Sequence, residues 1–291
     1  MFQGTYVALV TPFRDGQLDR RALGQLAESL LAAGMEGLVP CGTTGEASTL
    51  TDEEHLEVIR LVAEQARGKA FILAGTGSND TAHAVRLTRG ARERGADGAL
   101  VVAPYYNRPT QEGLYRHFVK VASEGGLPVM LYNIPSRCGV EIAAETITRL
   151  RRDCPNILAV KHATGSVDGA SHLLSVSDIE VLSGDDSMTL PLMAVGARGV
   201  VSVLANAWPG EVKAMVDSAL SGDFNEARRL HLRTFSLARG LLGMATNPIP
   251  IKTVLARRGL MAEEFRLPLC PMSAAEKDRL TGLVSEFESS A

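Results

Sequence analysis

Eight short apolar runs recur along the chain and limit what it can fold into: YVALV (6–10), GLVPC (37–41), AFILAG (70–75), GALVVA (98–103), PVMLYN (128–133), ILAVK (157–161), IEVLSG (179–184) and GVVSVL (199–204). Most are rich in Val, Ile and Leu and do not alternate with polar residues. That is the pattern of strands buried on both faces, hence of a parallel sheet. Helical periodicity fills the intervals. DRRALGQLAESLLAAG sets Leu23, Leu26, Leu30 and Leu31 on one face and ends at Gly34. TDEEHLEVIRLVAEQARG opens with Thr51 and Glu54 at capping-box spacing and closes at Gly68. TAHAVRLTRGARERG, QEGLYRHFVKVASEGG, AAETITRLRRDC and SMTLPLMAVGARG continue the alternation. About eight strands, each followed by a helix, predict an α/β chain folded as a (β/α)8 TIM barrel. A doubly wound open sheet is the runner-up, but it usually carries a glycine-rich phosphate loop after its first strand, and VTPFRDGQ is not one. From about residue 210 the pattern is helical only, with a break at Gly222-Asp223. The expected division is therefore a barrel over 1–210 and a C-terminal helical region over 211–291 packed on it.

The 291 residues suit one large domain, or one domain with an appendage. A net charge of −3 gives no electrostatic footing for nucleic acid, and the sparse aromatics argue against base-stacking platforms. Cys41, Cys138, Cys154 and Cys270 form no C-x-x-C pair and read as small buried hydrophobes in a reducing compartment. The stretch MFQGTYVALVTPF lacks a basic n-region and meets Pro12 early, unlike a signal peptide. No apolar run nears the roughly 18 residues of a membrane span. The sequon at Asn79 is then a chance match, and the cytoplasm is the expected compartment.

In a barrel of this kind, reactive groups stand at the C-terminal ends of the strands. That rule selects Thr11, Thr43, Thr44, Thr76, Tyr105, Tyr106, Tyr132, Asn133, Lys161, Gly184, Asp185 and Ser202. Lys161 ends the apolar strand ILAVK. Burial would lower its pKa from about 10.4, and a neutral amine there can attack a ketone to form a Schiff base. Position alone leaves a second reading equally open, a lysine paired with an acid. Tyr132, one strand earlier, could move a proton near a lysine-bound carbon or could simply be packed with its hydroxyl satisfied. No metal is expected, because His55, His83, His117, His162, His172 and His231 show no ligating spacing.

Taken together, GTYVALVTPF, CGTTGE, GTGSN, APYYNRPTQEGLY, LYNIPSRCG, VKHATG, LSGDD and NPIPIK resemble the dihydrodipicolinate synthase family, within the wider pyruvate-aldolase superfamily of Schiff-base barrels. The resemblance covers nearly the whole chain. It implies a condensation of pyruvate with L-aspartate 4-semialdehyde in lysine and diaminopimelate synthesis, with no cofactor beyond the lysine–pyruvate Schiff base. It implies that Lys161 forms the imine and that Tyr132 donates and accepts protons. Thr43 would link Tyr132 to Tyr106, which in this family reaches in from a neighbouring subunit. Thr44 would hold the pyruvate carboxylate, Gly184 and Val201 would line the pyruvate pocket through backbone, and Arg137 would bind the semialdehyde carboxylate. A planar guanidinium suits that last task. The threonines are expected to sit between glycines because the backbone must approach closely, and Glu46 is expected to hold their loop. At least a dimer is implied, commonly a homotetramer built as a pair of dimers.

Within the superfamily, sialic acid lyases and keto-sugar-acid aldolases resemble GSTGE in the threonine loop and lack the arginine. GTTGE and Arg137 point to the synthase. A non-catalytic paralogue is a rival of another class, against which intact Lys161, Tyr132, Thr43 and Tyr106 argue. Two departures stand out. His162 follows the lysine where the family usually carries an acid; it is expected to face away from the substrate. The lysine-effector site of sensitive members would map to Ser48, His55, Asn79, His83 and Tyr105, but position 83 is typically Glu. His83 cannot supply that carboxylate, so weak or absent inhibition by lysine is expected.

Overall fold

A computed structural model of the chain describes residues 2–289. The eight apolar runs become eight parallel strands: β1 (Gly4–Ala8), β2 (Gly37–Val39), β3 (Phe71–Gly75), β4 (Gly98–Val102), β5 (Val129–Asn133), β6 (Ile157–His162), β7 (Glu180–Ser183) and β8 (Gly199–Ser202). Each pairs with its sequence neighbours, and β1 pairs with both β2 and β8, which closes the barrel. A two-stranded ribbon of Phe13–Arg14 and Gln17–Leu18 follows β1. The barrel helices are α1 (Arg20–Ala32), α2 (Asp52–Ala66), α3 (Thr81–Glu93), α4 (Gln111–Gly125), α5 (Ala144–Asp153), α6 (Val167–Val176), α7 (Thr189–Ala194) and α8 (Pro209–Leu220). Beyond them lie α9 (Phe224–Met244), α10 (Ile249–Arg257) and α11 (Ala274–Ser289).

The strands are largely apolar because each face meets a different core. Val7, Leu131, Val160 and Val200 pack outward against the helices, whereas Tyr6, Met130, Tyr132, Ala159 and Val201 fill the barrel interior. The alternation has a period of two. Lys161, two residues after Ala159, therefore shares the interior face, and His162 takes the outer one. Helix starts are fixed locally: Asp19 accepts from Ala22 N at 3.0 Å. Thr51 and Glu54 form the expected capping box at 3.1 and 3.2 Å.

The expected boundary at residue 210 falls on the first turn of α8. That helix packs against β1 and β8, and so supplies the last βα unit. We place the end of the barrel after it, at Gly222 and Asp223, and the appendage in α9 to α11. Cys41, Cys138 and Cys154 are buried, as the composition predicts, but Cys270 is exposed. Among the described residues, no helix is long and apolar enough to cross a membrane.

Candidate active site

Adjacent strands bring the two reactive side chains together, since β5 and β6 place Tyr132 level with Lys161. The lysine Nζ stands 4.2 Å from the centre of the Tyr132 ring. Lys161 is 5% exposed, and burial pulls its pKa down to about 8, with Asp186 pushing the other way and Arg137 reinforcing the fall. It makes no ion pair among the described residues, because the Asp186 carboxylate is occupied elsewhere. One oxygen takes the Ser202 hydroxyl, and the other takes the backbone N–H groups of Val203 and Leu204 at 3.0 Å each. The reading of Lys161 as an ion-paired lysine therefore does not describe this site.

Gly184 leaves room for that lysine. A methyl group added there would lie 2.7 Å from Ala163 Cβ and 3.0 Å from Lys161 Cε. Val201, on the interior face of β8, belongs to the same buried cluster as Tyr132. Burial raises the Tyr132 phenol to about 12, partly offset by Arg137 and by a hydrogen bond with Thr43.

The CGTTGE loop turns at the end of β2, but not as glycine chemistry alone would have it. The left-handed residues are Cys41 (φ 57) and Glu46 (φ 53). Gly45 is confined, since an added Cβ would meet Cys41 N at 3.0 Å and Leu9 O at 3.1 Å; at Gly42 it would meet nothing within 4 Å. Close approach thus accounts for Gly45 and not for Gly42. Thr44 is buried and its Oγ1 accepts from Asn247 Nδ2 at 3.0 Å. Arg137 is exposed on the helical turn Pro135–Cys138 and donates to Asn247 O at 3.4 Å.

Tyr106 does not join this group within one chain. It is 88% exposed with φ 74, a conformation few non-glycine residues hold without support. His162 faces outward as expected, with Nε2 within 2.8 Å of Thr164 Oγ1 and 3.0 Å of Ser166 O.

A cavity of about 440 Å³ opens at the barrel mouth, lined by Thr43, Tyr132 and Arg137 together with Ser48, His55, His83 and Tyr105. Asn79 is not part of that lining; its carbonyl accepts from Asn107 Nδ2 at 2.9 Å. His55 is tied to Gly75 O at 2.7 Å. His83 lies 2.8 Å from Asp52 Oδ1 and 3.2 Å from Ser78 Oγ, so a carboxylate is present on this wall, engaged by the histidine. No cluster of His, Cys, Asp and Glu among the described residues could hold a metal ion.

Sequence reasoning missed two contributors. Asn247 touches both Thr44 and Arg137 but comes from the appendage, and its only signal was its place in NPIPIK. Asp186 sits two residues past Gly184 in LSGDD, where strand-end ranking stopped at Asp185.

The whole chain has known counterparts. Residues 1–287 match the model of the dihydrodipicolinate synthetase family. The 4-hydroxy-tetrahydrodipicolinate synthase of Geobacter sulfurreducens is 48% identical over 290 residues, 99% of each chain. The crystal structure of dihydrodipicolinate synthase from Aquifex aeolicus is similar at a TM-score of 0.97 and 48% identity, covering 99% of this chain and 98% of that one. The chloride-inhibited dihydrodipicolinate synthase from Acinetobacter baumannii, complexed with pyruvate, is similar at a TM-score of 0.96 and 40% identity, with 99% of both chains covered.

Proposed function

The chain belongs to the dihydrodipicolinate synthetase family, and from that premise we infer that it is a lyase of lysine and diaminopimelate biosynthesis, a 4-hydroxy-tetrahydrodipicolinate synthase that condenses pyruvate with L-aspartate 4-semialdehyde. The observation that carries the mechanism is a buried lysine with no ion-pair partner among the described residues, its pKa lowered to about 8, beside a buried tyrosine. Near pH 7.5 about a quarter of such a group is neutral amine, against roughly a thousandth for an ordinary lysine.

The Lys161 amine attacks the pyruvate ketone, and loss of water leaves an imine. Loss of a methyl proton from the imine gives an enamine, whose carbon attacks the semialdehyde aldehyde. Attack of the semialdehyde amino group on the imine carbon closes the ring and frees Lys161. Tyr132, protonated over the working range because burial raises its phenol, delivers and collects the protons through Thr43. Thr44 holds the pyruvate carboxylate by hydroxyl and backbone N–H, with Asn247 fixing the hydroxyl. Gly184 and Val201 line the pyruvate pocket. Arg137, exposed at the mouth with the Asn247 carbonyl steadying it, binds the semialdehyde carboxylate. No cofactor takes part. Tyr106 completes the relay from a second subunit, as its exposure in one chain supports, within a homotetramer made of two dimers. The Ser48, His55, His83 and Tyr105 wall is a weak lysine site, with Asn79 at its edge.

Borohydride reduction in the presence of pyruvate is expected to trap a covalent adduct at Lys161; its absence overturns the Schiff-base route. A coupled assay with pyruvate and aspartate semialdehyde, run against sialic acid and keto-sugar acids, tests the substrate. Activity confined to a sugar acid overturns the second-substrate assignment and leaves the Schiff base standing.

A further inference from the structure

The appendage reaches the threonine loop through three residues. One is Asn247, on Thr44. A second is Lys252 of α10, whose ammonium pairs with Glu46 Oε1, both side chains being fully buried. The third is Arg266, also on Glu46. The second Glu46 oxygen accepts Arg266 N at 3.1 Å. Arg266 in turn donates to Thr49 O at 2.9 Å and grips both oxygens of Glu54, the capping residue of α2. The loop from Thr43 to Glu54 is therefore held from outside the barrel along its length.

The backbone at Glu46 needs such a hold. Its φ of 53 is left-handed, and a non-glycine residue keeps that conformation only where the surroundings over-determine it. Glu46 N donates to Thr43 O at 3.1 Å, so the turn at Glu46 and the placement of the two threonines are one structure. Charge matters as well. Only Gly45 separates Glu46 from Thr44, which keeps their Cα atoms within about 7 Å. An uncompensated carboxylate buried at that range would oppose an anionic keto acid. The Lys252 ammonium cancels it, and the rings of Phe13 and Phe265, 4.6 and 4.9 Å from Nζ, replace part of the lost hydration. A buried ion pair often returns less than its desolvation costs, so stability alone is a weak reason for this one.

We propose that Lys252 is a positioning residue for pyruvate: by neutralising Glu46 it fixes the left-handed turn behind Thr43 and Thr44 and keeps the carboxylate cleft free of opposing charge. The proposal rests on the assignment of Thr44 to the pyruvate carboxylate.

Lys252→Met is expected to raise the KM for pyruvate about tenfold or more, while the KM for the semialdehyde moves less than about twofold, because only one substrate is held by this loop. The double variant Glu46→Gln with Lys252→Met removes both charges and is expected to bring the pyruvate KM back to within about threefold of the parent. A merely structural pair would not give that recovery together with that split. If Lys252→Met does not fold, Lys252→Gln, which keeps a donor toward Glu46 without its charge, carries the same expectation. An unchanged pyruvate KM in the folded single variant overturns the proposal, as does an equal rise for both substrates or a double variant no better than the single. Thr44→Val, run alongside, separates the two ideas. If its pyruvate KM does not rise, the carboxylate assignment fails; if it rises while that of Lys252→Met does not, only the role of Lys252 fails.

Discussion

A lysine whose pKa falls from 10.5 to about 8 is a burden on the fold as well as a nucleophile. The unfolded chain keeps this proton to about pH 10.5, whereas the folded chain releases it near pH 8. Between those values the unfolded state binds more protons, so stability rises with pH across the window. Below it both states are charged and the whole cost of burying the ammonium is felt, on the order of 3 kcal/mol. Lys161→Met, which removes the charge and keeps much of the volume, is therefore expected to melt higher than the parent at pH 7, by several degrees. The advantage should shrink as the pH approaches 10.5. Calorimetry at a series of pH values checks this, and a variant no more stable than the parent at pH 7 would contradict the burial cost. The same variant should form no pyruvate adduct, so one substitution separates what the residue does for chemistry from what it does to the fold.

At the scale of elements, β5 to β8 each deliver one feature to the barrel mouth, and their spacing leaves little slack. Gly184→Ala, just past β7, puts a methyl group 3.0 Å from Lys161 Cε and 2.7 Å from Ala163 Cβ. The lysine must shift to accept it. The turnover rate is expected to fall, by less than the roughly hundredfold that a misplacement of about 1 Å costs an oriented nucleophile, because the lysine need give only a few tenths of an ångström, while overpacking destabilises the chain by about 1–3 kcal/mol. Steady-state rates beside melting curves test this; a variant with parental turnover would show that the lysine has room to spare. The strands that make this geometry were legible in the sequence because burial on both faces leaves uninterrupted apolar runs. The rule that reactive groups stand at the C-terminal ends of barrel strands selected Tyr132 and Lys161 before any coordinates, whereas Val201 was implied only by the family resemblance. Asn247 and Lys252 were not legible in that way. They meet Thr44 and Glu46 across separations of 203 and 206 residues, and no local pattern encodes the chain path that returns α10 to the end of β2. The threonine loop was only half legible for a different reason. Its glycines drew attention, but the strained φ values sit on Cys41 and Glu46, where the conformation is imposed by packing and an ion pair rather than by residue type.

For the molecule as a whole, the cavity is lined by Tyr132 and Arg137 together with the wall of Ser48, His55, His83 and Tyr105. The carboxylate on that wall, Asp52, lies 2.8 Å from His83 Nε2 and is half exposed, so an effector amine must compete with the histidine for it. A lysine titration of the steady-state rate is expected to show weak inhibition or none, and inhibition at micromolar lysine would contradict this. The larger question is how a tyrosine left 88% exposed by its own chain can serve a proton relay at Thr43. Tyr106 and Arg108 both hold left-handed backbone, with φ of 74 and 46. The loop is nonetheless anchored on each side, by Asn107 to Asn79 O and by Arg108 to Gly139 O. We propose that a second subunit receives this loop, and a two-fold interface would make the exchange mutual. Mixed subunits test this directly. Tyr106→Phe and Lys161→Ala should each be nearly inactive alone. After subunit exchange half of the dimers are mixed, and if Tyr106 acts across the interface, one of the two sites in each mixed dimer has an intact Lys161 and receives an intact Tyr106. The mixture should then recover about a quarter of parental activity. If Tyr106 acts within its own chain, every site in every dimer carries a lesion and the mixture stays as inactive as its parts.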